Sequence, residues 1–249
     1  MPCSYLPNRK ERLVFTVAGT PENSVALYDD LAKMGFRRSH QMLYRPHCPN
    51  CNACQSARIR VQDFKISRSQ RRIRNRNRHL RRIVAVPQAD NQQYALFRKY
   101  LEARHQGGSM CNFDYDSYVS MVEDTSVTSR LVIYVNDESN DSAKSQLVAV
   151  ALTDVLEDGL SMVYSFFDPD TPRNSIGTHI ILDHVEFAAE LGLDYVYLGF
   201  WVPGSGKMNY KARFSPLEVY RNGTWERLRQ SASESSSSHV LERTEDELN

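Results

Sequence analysis

The sequence predicts an α/β protein of the α+β kind, and three observations carry that expectation. Residues 131–135, 147–156 and 160–167 are apolar, β-branched segments that read as successive strands of an antiparallel meander. A glycine-containing turn, Arg173-Asn-Ser-Ile-Gly177-Thr-His179, then opens a segment in which Ile176, Ile180, Ile181, Val185, Ala188, Ala189 and Leu191 recur near helical spacing, with Ser175 able to cap its start and Gly192 closing its end. A last apolar strand follows at 195–200. Strand, turn and helix in this order set unpaired backbone N–H groups and the positive end of a helix dipole beside a strand, which suits an anion or an oxyanion. Plain βαβ crossovers have the same order, so the turn alone does not fix a site.

In chain order, 13–17 is a short strand, and Thr20-Pro21 followed by Val25, Leu27, Leu31 and Met34 reads as a capped helix ending at Gly35. Residues 36–44 return as extended chain. Ala57-Arg-Ile-Arg-Val61 alternates as a strand does and leads into 65–82, where nine of eighteen residues are basic and none is acidic. That segment suits a helix capped by Ser67 or Ser69, with Ile73, Leu80 and Ile83 as a narrow buried stripe. Like charges at i,i+4 oppose such a helix unless something anionic compensates, so nucleic acid is a better partner for it than water. Residues 90–105 read as a helix with Tyr94, Phe97, Tyr100 and Leu101 on one side, Gly107-Gly108 breaks it, and a short helix follows at 115–121. Antiparallel strands, a glycine-turn helix and one more strand is the order of the GNAT-like acyltransferase fold, which includes the N-acetyltransferases. We expect a smaller basic, cysteine-containing N-terminal domain at 1–105, a GNAT-like transferase domain at 106–229, and a serine-rich tail of disordered composition at 230–249.

With 249 residues and 41% hydrophobic content, the chain can bury one large core or two modest ones. No apolar run approaches membrane-spanning length and the N-terminus lacks an apolar signal region, so a soluble, cytoplasmic protein with no membrane partner is expected. The net charge of +1 hides a split: residues 1–110 carry 21 Lys and Arg against 7 Asp and Glu, and residues 111–249 carry 10 against 23. Either the first half contacts a polyanion, or the two halves attract each other. Three of five cysteines, Cys48, Cys51 and Cys54, sit at a double C-x-x-C spacing that can place three thiolates on zinc or an iron–sulfur cluster. Arg58 stands where a ferredoxin-type run has its next cysteine, which leaves His47, Cys3, Cys111 or an exogenous group as the fourth ligand. Free thiols in a reducing compartment are the alternative.

Tyr44-Arg45-Pro46 with its cysteine triplet, the basic segment to Arg82, Tyr197-Leu-Gly-Phe, Lys207-Met-Asn-Tyr210-Lys211 and Phe214-Ser-Pro216 together resemble the arginyl-tRNA–protein transferase family. The likeness covers nearly the whole chain up to the serine-rich tail, its most specific part is Lys-Met-x-Tyr-Lys, and the bacterial aspartate/glutamate leucyltransferase branch is the closer match. That resemblance implies leucyl-tRNA and proteins with an N-terminal Asp or Glu as partners, N-end-rule tagging for degradation as the outcome, and no required cofactor. Leucine as donor is implied by the branch alone, with arginine as the alternative. The turn departs from the Gln/Arg-x-x-Gly-x-Gly/Ala of coenzyme-A-dependent N-acetyltransferases, having Asn174 first and His179 last, which weakens that alternative reading. A non-enzymatic metal- and nucleic-acid-binding module gives 207–216 no role.

The chemistry is mild. An aminoacyl ester is already activated, and an N-terminal amine with a pKa of about 7.7 to 8.0 is roughly a fifth neutral near pH 7.2. Holding amine against ester, worth up to about 7 to 11 kcal/mol, with backbone donors for the tetrahedral oxyanion, supplies much of the rate. A proton must still reach the departing ribose hydroxyl. Tyr210 is the candidate for that step, with Tyr197 second. Lys207 and Arg45 are candidates for gripping the acceptor carboxylate, Ser175 and Gly177 for the oxyanion, and Lys211 and Arg213 for the tRNA 3′ end. Arg71, Arg72, Arg74 and Arg78 are the candidate phosphate contacts.

Overall fold

The computed structural model describes residues 2–18, 21–104, 109–136, 145–171, 174–206 and 208–229. The expected Thr20 cap, the Gly107-Gly108 break, Arg173, Lys207 and the tail at 230–249 lie outside them. Among the described residues the chain begins β1 (Leu13–Val17), α1 (Pro21–Lys33), β2 (Arg37–Ser39), β3 (Met42–Pro46), β4 (Gln55–Arg60), α2 (Arg68–Arg76) and β5 (Leu80–Ala85). It continues α3 (Asn91–Arg104), α4 (Tyr115–Glu123), β6 (Ser129–Asn136), β7 (Gln146–Val155), β8 (Gly159–Phe167), α5 (Ile176–Glu190), β9 (Tyr195–Trp201), β10 (Leu217–Arg221) and β11 (Thr224–Arg227).

Two sheets result: a small antiparallel one in the order β1-β3-β2, and an eight-stranded one in the order β11-β10-β4-β9-β8-β7-β6-β5. The meander expected at 131–167 is β6-β7-β8, and the crossover helix α5 returns the chain as β9, which pairs parallel to β8. That is the element order expected of the acyltransferase fold. Strands from both sides of residue 105 share this sheet, since β4 lies between β9 and β10, and β5 flanks β6.

The period of two along each strand sorts side chains between the faces. Val132, Tyr134, Leu160, Val196 and Leu198 pack against Ile180, Val185 and Ala188 of α5 on one face. Leu131, Val150, Leu152 and Phe166 face the other way, onto Leu96, Phe97 and Leu101 of α3 and Tyr118 and Val122 of α4. Tyr28 and Ala32 of α1 join Leu43, Leu156 and Tyr197 in a third cluster. The end of α5 is a Schellman arrangement: Gly192, at φ +71°, donates to Ala189 O at 3.1 Å while Leu193 donates to Ala188 O at 2.9 Å.

Two segments differ from the sequence expectation. The extended chain at 36–44 is a hairpin, β2 and β3, turned at His40, which adopts φ +51°. The basic segment 65–82 is not one helix. It begins as expected, with Ser67 accepting from Gln70 N and Gln70 accepting in return from Ser67 N, a complete capping box. It stops at Arg76, where Asn77 caps the end, and Leu80–Ala85 then pairs residue for residue with β6. A six-residue ladder overrides the weak helical preference of a run that repels itself.

Candidate active site

Strands β8 and β9 pair only from Gly159/Tyr195 to Ser161/Tyr197, and then diverge. The fork holds a cavity of about 1110 Å³. Its walls are Met162 to Ser165 and Phe167 of β8, Leu198 to Phe200 of β9, the start of α5, Tyr210 and Lys211 of the 3-10 turn Asn209–Arg213, and Arg37 to His40 and Tyr44 of the small sheet. At the fork β8 carries a bulge: Leu152 opposes Tyr164 and Thr153 opposes Met162, which leaves Val163 unmatched. Such a bulge bends the strand and re-aims its backbone.

Ser175 and Gly177 both line this space. Ser175 occupies the N-cap of α5 in the left-handed region, at φ 50°, and its side chain makes no capping bond. The first backbone bond into the helix is His179 N to Ser175 O, so the N–H groups of the first turn have no helical acceptor. They and the helix dipole face the cavity as donors.

Lys211 lies opposite, buried, with Nζ donating to Phe200 O at 2.7 Å. Burial first, and the Arg37 guanidinium second, push its pKa down from 10.5 to about 7. Tyr210 is 40% exposed, and the Lys211 Nζ is 6.0 Å from its ring centroid. Arg37 reaches into the fork, its Nη2 donating to Met162 O at 2.7 Å, while Nη1 is buried and finds no hydrogen-bond partner among the described residues. Gly199, at φ +82°, makes room for it: a Cβ there would lie 2.6 Å from Arg37 Nη1. Sequence reading missed Arg37, because one arginine in a two-residue Arg37-Arg38 step carries no spacing signal. The glycine that accommodates it stands in the Leu198-Gly-Phe step already singled out.

The other expected residues are more scattered. Tyr197 is buried in the α1 cluster, not on the cavity wall, bonded to Asp158 Oδ2 at 2.9 Å and to Arg58 Nη1 at 3.2 Å. Burial, and then Asp158, raise its phenol far above its ordinary value. Arg45 stacks on Phe36, 4.9 Å from the ring centroid, and donates to Met34 O at 3.0 Å, also outside the cavity lining. Arg213 is exposed at the end of the 3-10 turn. Arg71, Arg72 and Arg78 are exposed on or just beyond α2, whereas Arg74 pairs with Glu186 of α5 at 2.6 Å. Cys54 is pushed up to about 12 by burial, followed by the thiols of Cys3, Cys48 and Cys51. Cys3 thus joins the triplet, although among the described residues no group of three or more His, Cys, Asp or Glu is arranged to hold a metal ion.

Two family models match the chain: "Arginine-tRNA-protein transferase, C terminus" over residues 92–221 and "Arginine-tRNA-protein transferase, N terminus" over residues 1–72. A protein of Ruegeria sp. (strain TM1040) named aspartate/glutamate leucyltransferase is 52% identical over 96% of this chain and 85% of its own length. One of the same name from Paracoccus denitrificans (strain Pd 1222) is 50% identical over 96% of this chain and 87% of its own. Among solved structures, that of L-PGS from Bacillus licheniformis matches the fold, with a TM-score of 0.51 and 16% identity over 92% of this chain and 72% of that one.

Proposed function

This chain belongs to the arginine-tRNA–protein transferase family, and from that premise we propose that it is a leucyltransferase, moving leucine from leucyl-tRNA to proteins that begin with Asp or Glu and so tagging them for degradation. The supporting observation is one cavity in which the first-turn donors of α5 face a buried lysine across the fork of β8 and β9. At about 1110 Å³ it exceeds what one drug-sized ligand fills, which suits an aminoacylated 3′ nucleotide and a peptide N-terminus together.

The neutral α-amine attacks the ester carbonyl, and the N–H groups at Ser175 to Gly177 receive the oxyanion. The C–N bond forms and the bond to the ribose oxygen breaks. Lys211, as the free amine, takes the proton the nucleophile sheds; Tyr210 protonates the ribose oxygen and is itself reprotonated from Lys211. Arg37, one of the cations lining the cavity, takes the acceptor carboxylate in place of Arg45, which packs outside it, with Lys207 as a second candidate and Arg213 at the rim for the tRNA 3′ end. Arg71, Arg72 and Arg78 take phosphates outside, and Arg74 does so in exchange with Glu186. Tyr197 supports β9 from behind through Asp158 and Arg58. A zinc or iron–sulfur site at Cys48, Cys51 and Cys54 is supported by their sequence spacing alone, since among the described residues no group of three or more His, Cys, Asp or Glu could hold a metal ion; no step of transfer runs through it, and metal content after anaerobic purification tests it. Work on charged tRNA belongs in the cytoplasm, and no helix among the described residues is long and apolar enough to cross a membrane.

The test is direct. Purified protein given labelled leucyl-tRNA should leucylate Asp- and Glu-starting peptides at least tenfold faster than an Asn-starting one, because the amide leaves the reading cation unpaired. Transfer from acetyl-coenzyme A, or from arginyl-tRNA in preference to leucyl-tRNA, would overturn the assignment.

A further inference from the structure

The basic helix α2 is fastened at both ends to opposite walls of the cavity. At its start Gln70, 4% exposed, uses Oε1 to complete the capping box and Nε2 to donate to Arg213 O at 3.0 Å. Arg213 ends the turn that carries Tyr210 and Lys211. At its finish Asn77, fully buried, donates from Nδ2 to Asn174 O at 2.7 Å and to Ile73 O at 2.9 Å. Asn174 immediately precedes Ser175, the N-cap of α5. The two amides thus hold carbonyls from segments about forty residues apart in sequence, one beside the oxyanion donors and one beside the lysine.

Neither bond is needed to make α2 helical. The capping box uses only the Gln70 oxygen, and the Asn77 backbone N–H closes the last turn by itself. Buried side-chain amides normally satisfy both donor and acceptor, yet Asn77 Oδ1 has no partner among the described residues. The residue keeps the Asn174 bond at the cost of an unpaired oxygen. We propose that Gln70 and Asn77 are positioning residues that make α2 a brace, fixing the separation between the donor wall at 174–178 and the lysine wall at 209–213, so that the helix that receives tRNA phosphates also sets the reacting geometry. The inference rests on the proposed leucyl transfer. It predicts that loosening either end slows the chemical step without weakening tRNA binding, since a misplacement of about 1 Å can cost about a hundredfold.

The experiment uses the full chain with leucyl-tRNA in saturating amount and an Asp-starting peptide. Gln70→Glu keeps an acceptor for the capping box and removes the donor to Arg213 O, and Asn77→Ala removes the donor at the other end. Each variant should lower the single-turnover transfer rate at least tenfold, with leucyl-tRNA affinity and its salt dependence within twofold of wild type. Wild-type rates in both variants, or affinity falling in step with rate, would overturn the brace. A variant that fails to fold leaves the other to decide. Absence of leucyl transfer by the wild-type protein counts against the functional reading instead, so the two failures are distinguishable.

Discussion

The proposed chemistry turns on one side chain, Lys211. Its amine is hidden from water and lies near Arg37, and for those reasons it releases its proton near pH 7 rather than 10.5, even though it is bonded to Phe200 O. If it acts as the base, the single-turnover rate should rise with pH through about 7 and level off above it, measured with a peptide whose amine pKa is known so that the two ionisations can be separated. Lys211→Arg stays charged at every accessible pH and should lose at least a hundredfold in rate, with no pH dependence of its own. Stability runs in the same direction. The unfolded chain holds the Lys211 proton more tightly than the folded one, so native stability rises with pH between about 7 and 10.5, and below 7 the full cost of the buried charge is present. Lys211→Met should therefore raise the melting temperature at pH 7 by a few degrees while abolishing transfer. An unchanged or lowered melting temperature would mean that the amine's bond to Phe200 O matters more than its burial.

Among the elements, α2 is where charge and geometry separate most clearly. Arg71, Arg72 and Arg78 point to solvent, and Arg74 is engaged with Glu186. Reversing the first three to Glu should weaken leucyl-tRNA binding and flatten the plot of log affinity against log salt, by roughly 0.7 to 0.9 in slope for each phosphate no longer neutralised. A slope equal to that of the wild type would remove α2 from the tRNA interface. The charge of this segment was legible in the sequence, as were its Ser67 cap and the helix α5 with its glycine stop. Its length was not, because Leu80 and Ile83, three residues apart, share a face in a helix and lie on opposite faces in a strand, and only the pairing with β6 shows that the strand wins. Lys211 and Tyr210, singled out through the Lys-Met-x-Tyr-Lys step, both line the cavity. The depressed pKa of Lys211 was not legible, since it depends on burial that no local pattern encodes. Arg37 and Arg45 illustrate the same limit from both sides: each is a single arginine of the N-terminal region, and tertiary packing alone puts one in the cavity and the other on Phe36.

At the scale of the whole molecule, the opposed charges of the two halves also hold the fold together. Basic groups from the first half meet acidic ones from the second in Arg38–Asp154, Arg58–Glu218, Arg82–Asp183 and Lys33–Glu157. The first of these joins the small sheet to β7: Arg38 and Asp154 are completely buried and bonded at 2.7 and 2.8 Å, with Ser129 Oγ donating to the same carboxylate at 2.7 Å. Asp154→Asn leaves the guanidinium uncompensated and should cost about 3 to 5 kcal/mol in urea unfolding; a loss under about 1 kcal/mol would mean that water reaches Arg38 once its partner is neutral. Strand β4 has a consequence of another kind. It is hydrogen-bonded on both edges, Ser56 opposite Phe200 and Ala57 opposite Val219, so the centre of the sheet closes only when segments about 140 and 160 residues apart have met. Distant pairings of this sort delay folding until the later partner exists, and a chain emerging from the ribosome presents its basic segment long before β9 and β10 are made. If that segment binds tRNA as proposed, it does so during that interval without the strands needed to discharge it, and the ability to consume leucyl-tRNA arrives late in synthesis, together with the strands that flank β4.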